Sequence, residues 1–192
     1  MISEFEIAYS QKRRAEPCGF SREYYLDAPP VQVGLAYFTS AYDGVFTLHF
    51  DNLSLDFDFD PDLNVLFFFI PVALEKLLTR NEEPQDIYFC QHGTEVKLFL
   101  QAAGEAVALS FEKGNSRFPP IPHDTPIFVS LVAFVAEWVQ FTGAVLEAIK
   151  TLKPELEGDQ SYQEYKMRLL GIESTLRQEV GQREESVLVF GE

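Results

Sequence analysis

Basic residues are missing from a long stretch of this 192-residue chain: from Glu23 to Glu75 there is no Lys or Arg. The same stretch holds nine acids (Glu23, Asp27, Asp43, Asp51, Asp56, Asp58, Asp60, Asp62 and Glu75), so it carries −9 of the formal net charge of −15. A field of that sign repels nucleic acid, whose binding needs phosphate-neutralising Lys and Arg. It favours a basic partner, a cation, or solubility alone. Cysteine is scarce. Cys18 and Cys90 are too few and too isolated for a disulfide framework, which fits a reduced, cytoplasmic location. The start, MISEFEIAYSQKRR, has no long apolar run behind a positive segment and does not read as a secretory signal. The chain also lacks glycine-rich phosphate loops, a Gly-x-Ser-x-Gly elbow, paired Cys-x-x-Cys and His-Glu-x-x-His. The pattern therefore assigns no cofactor and no metal site.

Apolar residues are plentiful, at 46% with 18 Phe, enough for a substantial core. The length fits one domain over residues 1–192. FEIAYS (5–10) reads as a first strand and VQVGLAYF (31–38) as a second, with Lys12, Arg13 and Arg14 in a solvated loop or hairpin end between them. VFTLHF (45–50) and LSLDFDF (53–59) flank Asp51-Asn52, two residue types that tolerate positive φ in a tight turn. The register follows: Phe50 faces Leu53, Leu48 faces Leu55 and Phe46 faces Phe57. On the opposite face His49 meets Ser54, Thr47 meets Asp56 and Val45 meets Asp58. One register thus gives one apolar and one polar face.

NVLFFFIPVALEKLLTR (64–80) predicts a helix within 71–80, and the part before Pro71 fits either helix or buried strand. DIYFCQ (86–91) and TEVKLFLQ (94–101) flank a His92-Gly93 turn, pairing Phe89 with Val96 and Ile87 with Leu98. A loop over Ala102–Glu105 then leads to AVALSF (106–111), with Leu100 opposite Val107 and Leu98 opposite Leu109, which completes a three-strand meander. Residues 112–125, with prolines at 119, 120 and 122, form a long loop or strap. Thr125 and Pro126 are cap and first residue of a helix running to about Leu152. Its first twenty residues hold one charge, Glu137, which brings a membrane span into question. The stripe Ser130, Ala133, Glu137, Gln140, Ala144, Glu147 and Thr151 instead fits a soluble helix buried on most sides. After Pro154 a last amphipathic helix carries Tyr162, Tyr165, Leu169, Ile172, Leu176 and Val180 on one stripe. Residues 183–192 read as a flexible tail or an added edge strand. The expected fold is α+β: an antiparallel sheet, hairpin plus three-strand meander, packed against the long helix and the final helix.

Asp56, Asp58 and Asp60 in NLSLDFDFDPDLN are the leading candidate site. As an EF-hand the segment fails, because the sixth position is Pro61 and the twelfth Phe67. On a strand these acids also stand about 7 Å apart at alternate positions, too spread to chelate one ion unaided. Asp is disfavoured in strands, and like charges on one face repel, so an acidic row points to a surface kept for a basic partner. Thr47 and His49 share that face, with His49 diagonal to Asp56 and held by a carboxylate. His123, in the proline-rich loop, is placed to line a groove.

The element order from about 31 to 180, with DPDLNVLFFFIPVALEKLL and SYQEYKMRLL, resembles small, poorly characterised bacterial proteins that include toxin-immunity-type domains. The resemblance implies a stand-alone binding protein with no catalytic residues to carry over. Three readings follow: a non-catalytic domain docking a basic protein through Asp56, Asp58 and Asp60, an enzyme joining carboxylates to His49 or His123 in a cleft, and a homodimeric scaffold using exposed aromatics.

Overall fold

The computed structural model describes residues 2–16, 29–81, 83–89, 95–113 and 125–189. It shows an α+β fold with two antiparallel sheets and four α-helices among the described residues. The first sheet has the order β1-β2-β3, from Phe5–Arg13, Tyr42–Phe50 and Leu53–Asp58. The second has the order β4-β5-β6-β7, from Gln85–Phe89, Val96–Ala103, Ala106–Lys113 and Ile127–Ser130. The expectation of a single sheet is corrected here. Phe50 meets Phe111 edge-on at 5.8 Å, and Phe57 meets Phe89 at 4.5 Å between ring centroids. The sheets thus share one core through their inward rings, and the N-terminal segment ties their edges, Ser3 N donating to Phe128 O at 2.7 Å.

The β2–β3 hairpin has the register read from the sequence: Phe50↔Leu53, Leu48↔Leu55 and Phe46↔Phe57 inward, His49↔Ser54, Thr47↔Asp56 and Val45↔Asp58 outward. Asp51 takes φ 47° in the turn, the left-handed geometry that Asp tolerates. Phe46, Leu48, Phe50, Leu55 and Phe57 are all buried.

In the second sheet Phe89↔Val96 and Ile87↔Leu98 also hold. The next pairing is displaced by two residues. Leu98 faces Phe111 and Leu100 faces Leu109, because the turn tightens to Gly104-Glu105 with Gly104 at φ 62°. A slip of two leaves each side chain on its predicted face.

Two elements differ from the sequence reading, and a third settles an alternative it left open. Residues 31–38 are not a strand but lie in α1, Pro30–Ala41. Val31, Leu35 and Phe38 are its buried row at helical spacing, and Pro30 occupies the first position, where its missing N–H costs nothing. The segment before Pro71 is helical. α2 spans Asn64–Leu78 with Pro71 inside it, after a single π-type turn over Phe59–Leu63. The long helix does not begin at Thr125. Ile127 pairs with Leu109 and Phe128 with Ala108, so residues 127–130 extend the sheet as β7. Ser130 then caps α3, Leu131–Leu152, its side chain accepting from Ala133 N at 3.4 Å.

α3 is long and apolar enough, by length and composition, to cross a membrane. In the fold it is a core helix. Phe134 and Phe141 contact Phe5 and Phe46 of the first sheet, and Trp138 lies against Phe5. Glu137 is half-buried where Phe134 and Trp138 are fully buried, as the polar stripe requires. α4, Gln160–Val189, buries Tyr162, Leu169, Ile172 and Leu176, with Tyr165 and Val180 half-buried beside them. It continues as helix past residue 183, where a tail or an edge strand was expected. His92 and His123, with residues 114–124 of the proline-rich loop, lie outside the described residues.

Gly44 tests the packing at the start of the hairpin. A Cβ there would come within 2.6 Å of the Phe59 ring and 2.7 Å of the Ser10 carbonyl oxygen. Backbone cannot yield as a flexible side chain can, so Gly44→Ala is expected to cost about 1–3 kcal/mol. Urea denaturation should show a lower midpoint with an unchanged slope.

Candidate functional site

Pairing of β1 with β2 places a third strand beside the hairpin and completes its outer face. Reading across the three strands, the outward rows are Glu6–His49–Ser54, Ala8–Thr47–Asp56 and Ser10–Val45–Asp58. The acidic candidates therefore sit on one sheet face with Thr47 and His49. Lys12 and Arg13 lie at the far end of β1, opposite Asp43 and Tyr42.

Asp56 is exposed, and its Oδ1 accepts from Thr47 Oγ1 at 2.8 Å. Asp58 is half-buried, not fully exposed as its position in the alternation predicts. The chain leaves the strand there, and Asp62, wholly buried, accepts from Asp58 N at 3.1 Å. Asp60 lies beyond the paired region. It keeps extended dihedrals (φ −112°, ψ 114°) and an exposed side chain, while Phe59 beside it is buried. The alternation thus outlasts the pairing by two residues. His49 is held by a hydroxyl and not by the diagonal carboxylate: its Nδ1 lies 2.8 Å from Ser54 Oγ.

At the Glu6–His49 end the face runs into a cleft of about 750 Å³. One wall is the start of β1 with its lead-in, carrying Glu4 and Glu6. The other is the first turns of α3, carrying Glu137, and His49 and Asp51 line it from the hairpin end. Four carboxylates and one imidazole share this space, and among the described residues no Lys or Arg lines it. Two of the acids serve the architecture as well. Glu137 Oε2 accepts from Ile7 N at 3.0 Å, covering the outer edge of β1, and Asp51 Oδ1 accepts from Glu4 N at 2.8 Å. The Asp51 carboxyl is held below the usual carboxylate range by the Ser3 side chain and by the Glu4 N–H. Among the described residues no group of three His, Cys, Asp or Glu is placed to hold a metal ion.

Sequence reasoning missed Glu4, Glu6 and Glu137. Their approach to His49 depends on β1 pairing with β2 across α1 and on α3 crossing the edge of β1. Neither is written in a local pattern. The only sequence signal was the small-and-polar stripe of α3, on which Glu137 stands out. No protein-family model, curated protein or solved structure matches the chain.

Asp51 gives a pH test of this corner. Its pKa is lowered on folding, so the stability it supplies is present above its ordinary value of 3.8 and is lost as pH falls through the folded value. Asp51→Asn keeps a residue that tolerates positive φ and removes the charge. The difference in urea midpoint between the two proteins should be present at pH 6 and shrink below about pH 4.

Proposed function

We propose that this protein is a non-catalytic binding domain that docks a basic protein partner through the acidic outer face of β1-β2-β3, in the manner of an immunity-type inhibitor in the cytoplasm. The observation that carries the reading is continuity. Asp56, Asp58 and Asp60 on the hairpin side, and Glu6 with Glu4, Asp51 and Glu137 at the cleft, bound one face whose β2 and β3 strands hold no Lys or Arg. Side chains on such a face act on a partner mostly before contact, by steering its approach. The cleft would receive a lysine or arginine side chain from the docked partner, since Glu4, Glu6, Asp51 and Glu137 line it and, among the described residues, no Lys or Arg does.

A second reading has one observation in its favour. His49 shares the cleft with carboxylates, the combination that general acid–base catalysis uses. The readings part at His49→Gln. Charge-driven binding of a basic polypeptide is unchanged by it on the first reading, whereas turnover is lost on the second.

The test is the triple change Asp56→Asn, Asp58→Asn and Asp60→Asn, measured with a fluorescent ten-residue Lys/Arg-rich peptide as probe. The variant keeps side-chain size, and its melting temperature should hold or rise slightly as neighbouring carboxylates cease to repel. Peptide affinity should fall by about tenfold, mainly through a slower association rate. It should fall for the unmodified protein too as salt rises from about 50 to about 500 mM, which shortens the Debye length roughly threefold. An affinity indifferent to both the substitutions and the salt would place the function elsewhere.

A further inference from the structure

On the helical side of the molecule, α3 and α4 leave a groove of about 240 Å³ between them. Its floor is apolar, with Leu146 and Leu169 buried and Leu170 reaching into it while 46% exposed. Gly143 opens the middle of the groove. A Cβ added there would meet no atom within 4 Å outside its own stretch of helix. Glycine in the interior of a 22-residue helix lowers helix stability relative to alanine, and nothing packed against Gly143 demands a residue without a side chain. The missing side chain leaves room for something else.

The charges at the rim narrow what that is. Glu147 is engaged at 3.0 Å by Lys150, which also lies 3.7 Å from Glu157, and Glu173 is engaged by Arg177 at 2.5 Å. Lys166, half-buried on the same rim, makes no ion pair among the described residues. Of the three charged side chains that line the groove, Glu147, Lys166 and Glu173, the lysine is the one with no ion pair among the described residues, although the chain as a whole is strongly acidic. A lysine whose stem lies on apolar surface with its ammonium at the rim is suited to an anion joined to an apolar chain.

We infer that the α3–α4 groove binds a single-chain monocarboxylate amphiphile. The chain lies over Gly143 between Leu146 and Leu170, and the carboxylate meets the Lys166 ammonium. The site lies apart from the acidic sheet face and does not depend on the function proposed for it.

The experiment uses the full chain at about 150 mM salt, where the long-range field of the protein is screened beyond roughly 8 Å. Decanoate and decyltrimethylammonium, which carry the same chain on opposite charges, are titrated below their aggregation thresholds by calorimetry. The Leu170 methyl and Gly143 amide signals are followed by NMR. Decanoate should bind one to one and at least tenfold more tightly than the cationic analogue. Lys166→Met, which keeps an apolar stem, should remove that preference. Gly143→Leu should remove binding of both while the melting temperature holds or rises, because leucine is the better helix former. The basic peptide should bind Gly143→Leu as it binds the unmodified protein, which separates this site from the acidic face. Equal affinity for the two head groups, unchanged decanoate binding in Gly143→Leu or Lys166→Met, no decanoate binding at all, or tighter binding of a leucine-ended peptide carboxylate would each overturn the inference.

Discussion

The two-residue period of β2 and β3 is the constraint on which the rest of the structure depends. Phe46 and Phe57 stack at 5.1 Å and Phe57 reaches Phe89 at 4.5 Å, so the hairpin's inner face is both its own core and its joint to the second sheet. A slip of one residue would carry Asp56 and Asp58 into that ring cluster. A carboxylate buried without a partner costs far more than any local turn preference can offset. The acidic outer face is in this sense a consequence of aromatic packing: once the rings point inward, the acids have only one side left. That also explains how a strand tolerates acids at 56 and 58 despite their poor strand propensity, because burial of Leu55 and Phe57 outweighs it.

The same logic marks what the sequence made legible. Where polarity alternated, as in 45–58 and 85–89, period and register could be read together, and the strands pair as read. Where apolar residues ran on, the period was ambiguous. VQVGLAYF satisfies a strand at Val31, Val33 and Leu35, and a helix at Val31, Leu35 and Phe38. Contacts far along the chain decided for helix: a Cβ on Gly34 would come within 2.7 Å of Ile149 and Leu156, and Val31 N donates to Ser161 Oγ at 3.3 Å. Residues 127–130 went the other way. Their neighbours in sequence are helical, but β6 offers an open edge, and four residues of pairing delay the helix to the Ser130 cap.

The candidate site was legible only in part for a related reason. Thr47, His49, Asp56 and Asp58 lie on one hairpin, and a hairpin is local. The cleft draws on residues more than forty positions apart. Glu4 meets Asp51 through a backbone N–H, and Glu137 reaches the edge of β1 across 130 residues. Contacts of that separation are set by how layers stack, which single-sequence periodicity does not encode. The cleft therefore joined acids that the sequence had scattered, and it set His49 among carboxylates as well as beside Ser54, the cross-strand partner its strand position had indicated.

The attachment of α4 shows how the two ends of the fold come to carry different chemistry. Toward α2 it is fastened by polar clips. Arg168 makes a two-pronged contact with Glu75 at 2.7 and 2.6 Å, and Tyr165 stacks on Phe67 and donates its hydroxyl to the Phe67 carbonyl at 2.6 Å. Burial pushes the Tyr165 phenol well above its ordinary pKa, so that proton stays in place and the bond holds across the physiological range. Near the other end of α2, Arg80 joins the Gly104 carbonyl to Glu179. Exposed ion pairs such as Arg168–Glu75 add about 0–1 kcal/mol each, so these clips orient α4 more than they stabilise it. With α4 oriented from the α2 side, its packing against α3 need not be complete along its length. Tyr162, donating to Leu146 O at 3.2 Å, closes one stretch, and Gly143 leaves the next one open. The acidic sheet face and the apolar helical groove thus draw on different layers joined by α3, which carries Glu137 at the cleft and Gly143 in the groove.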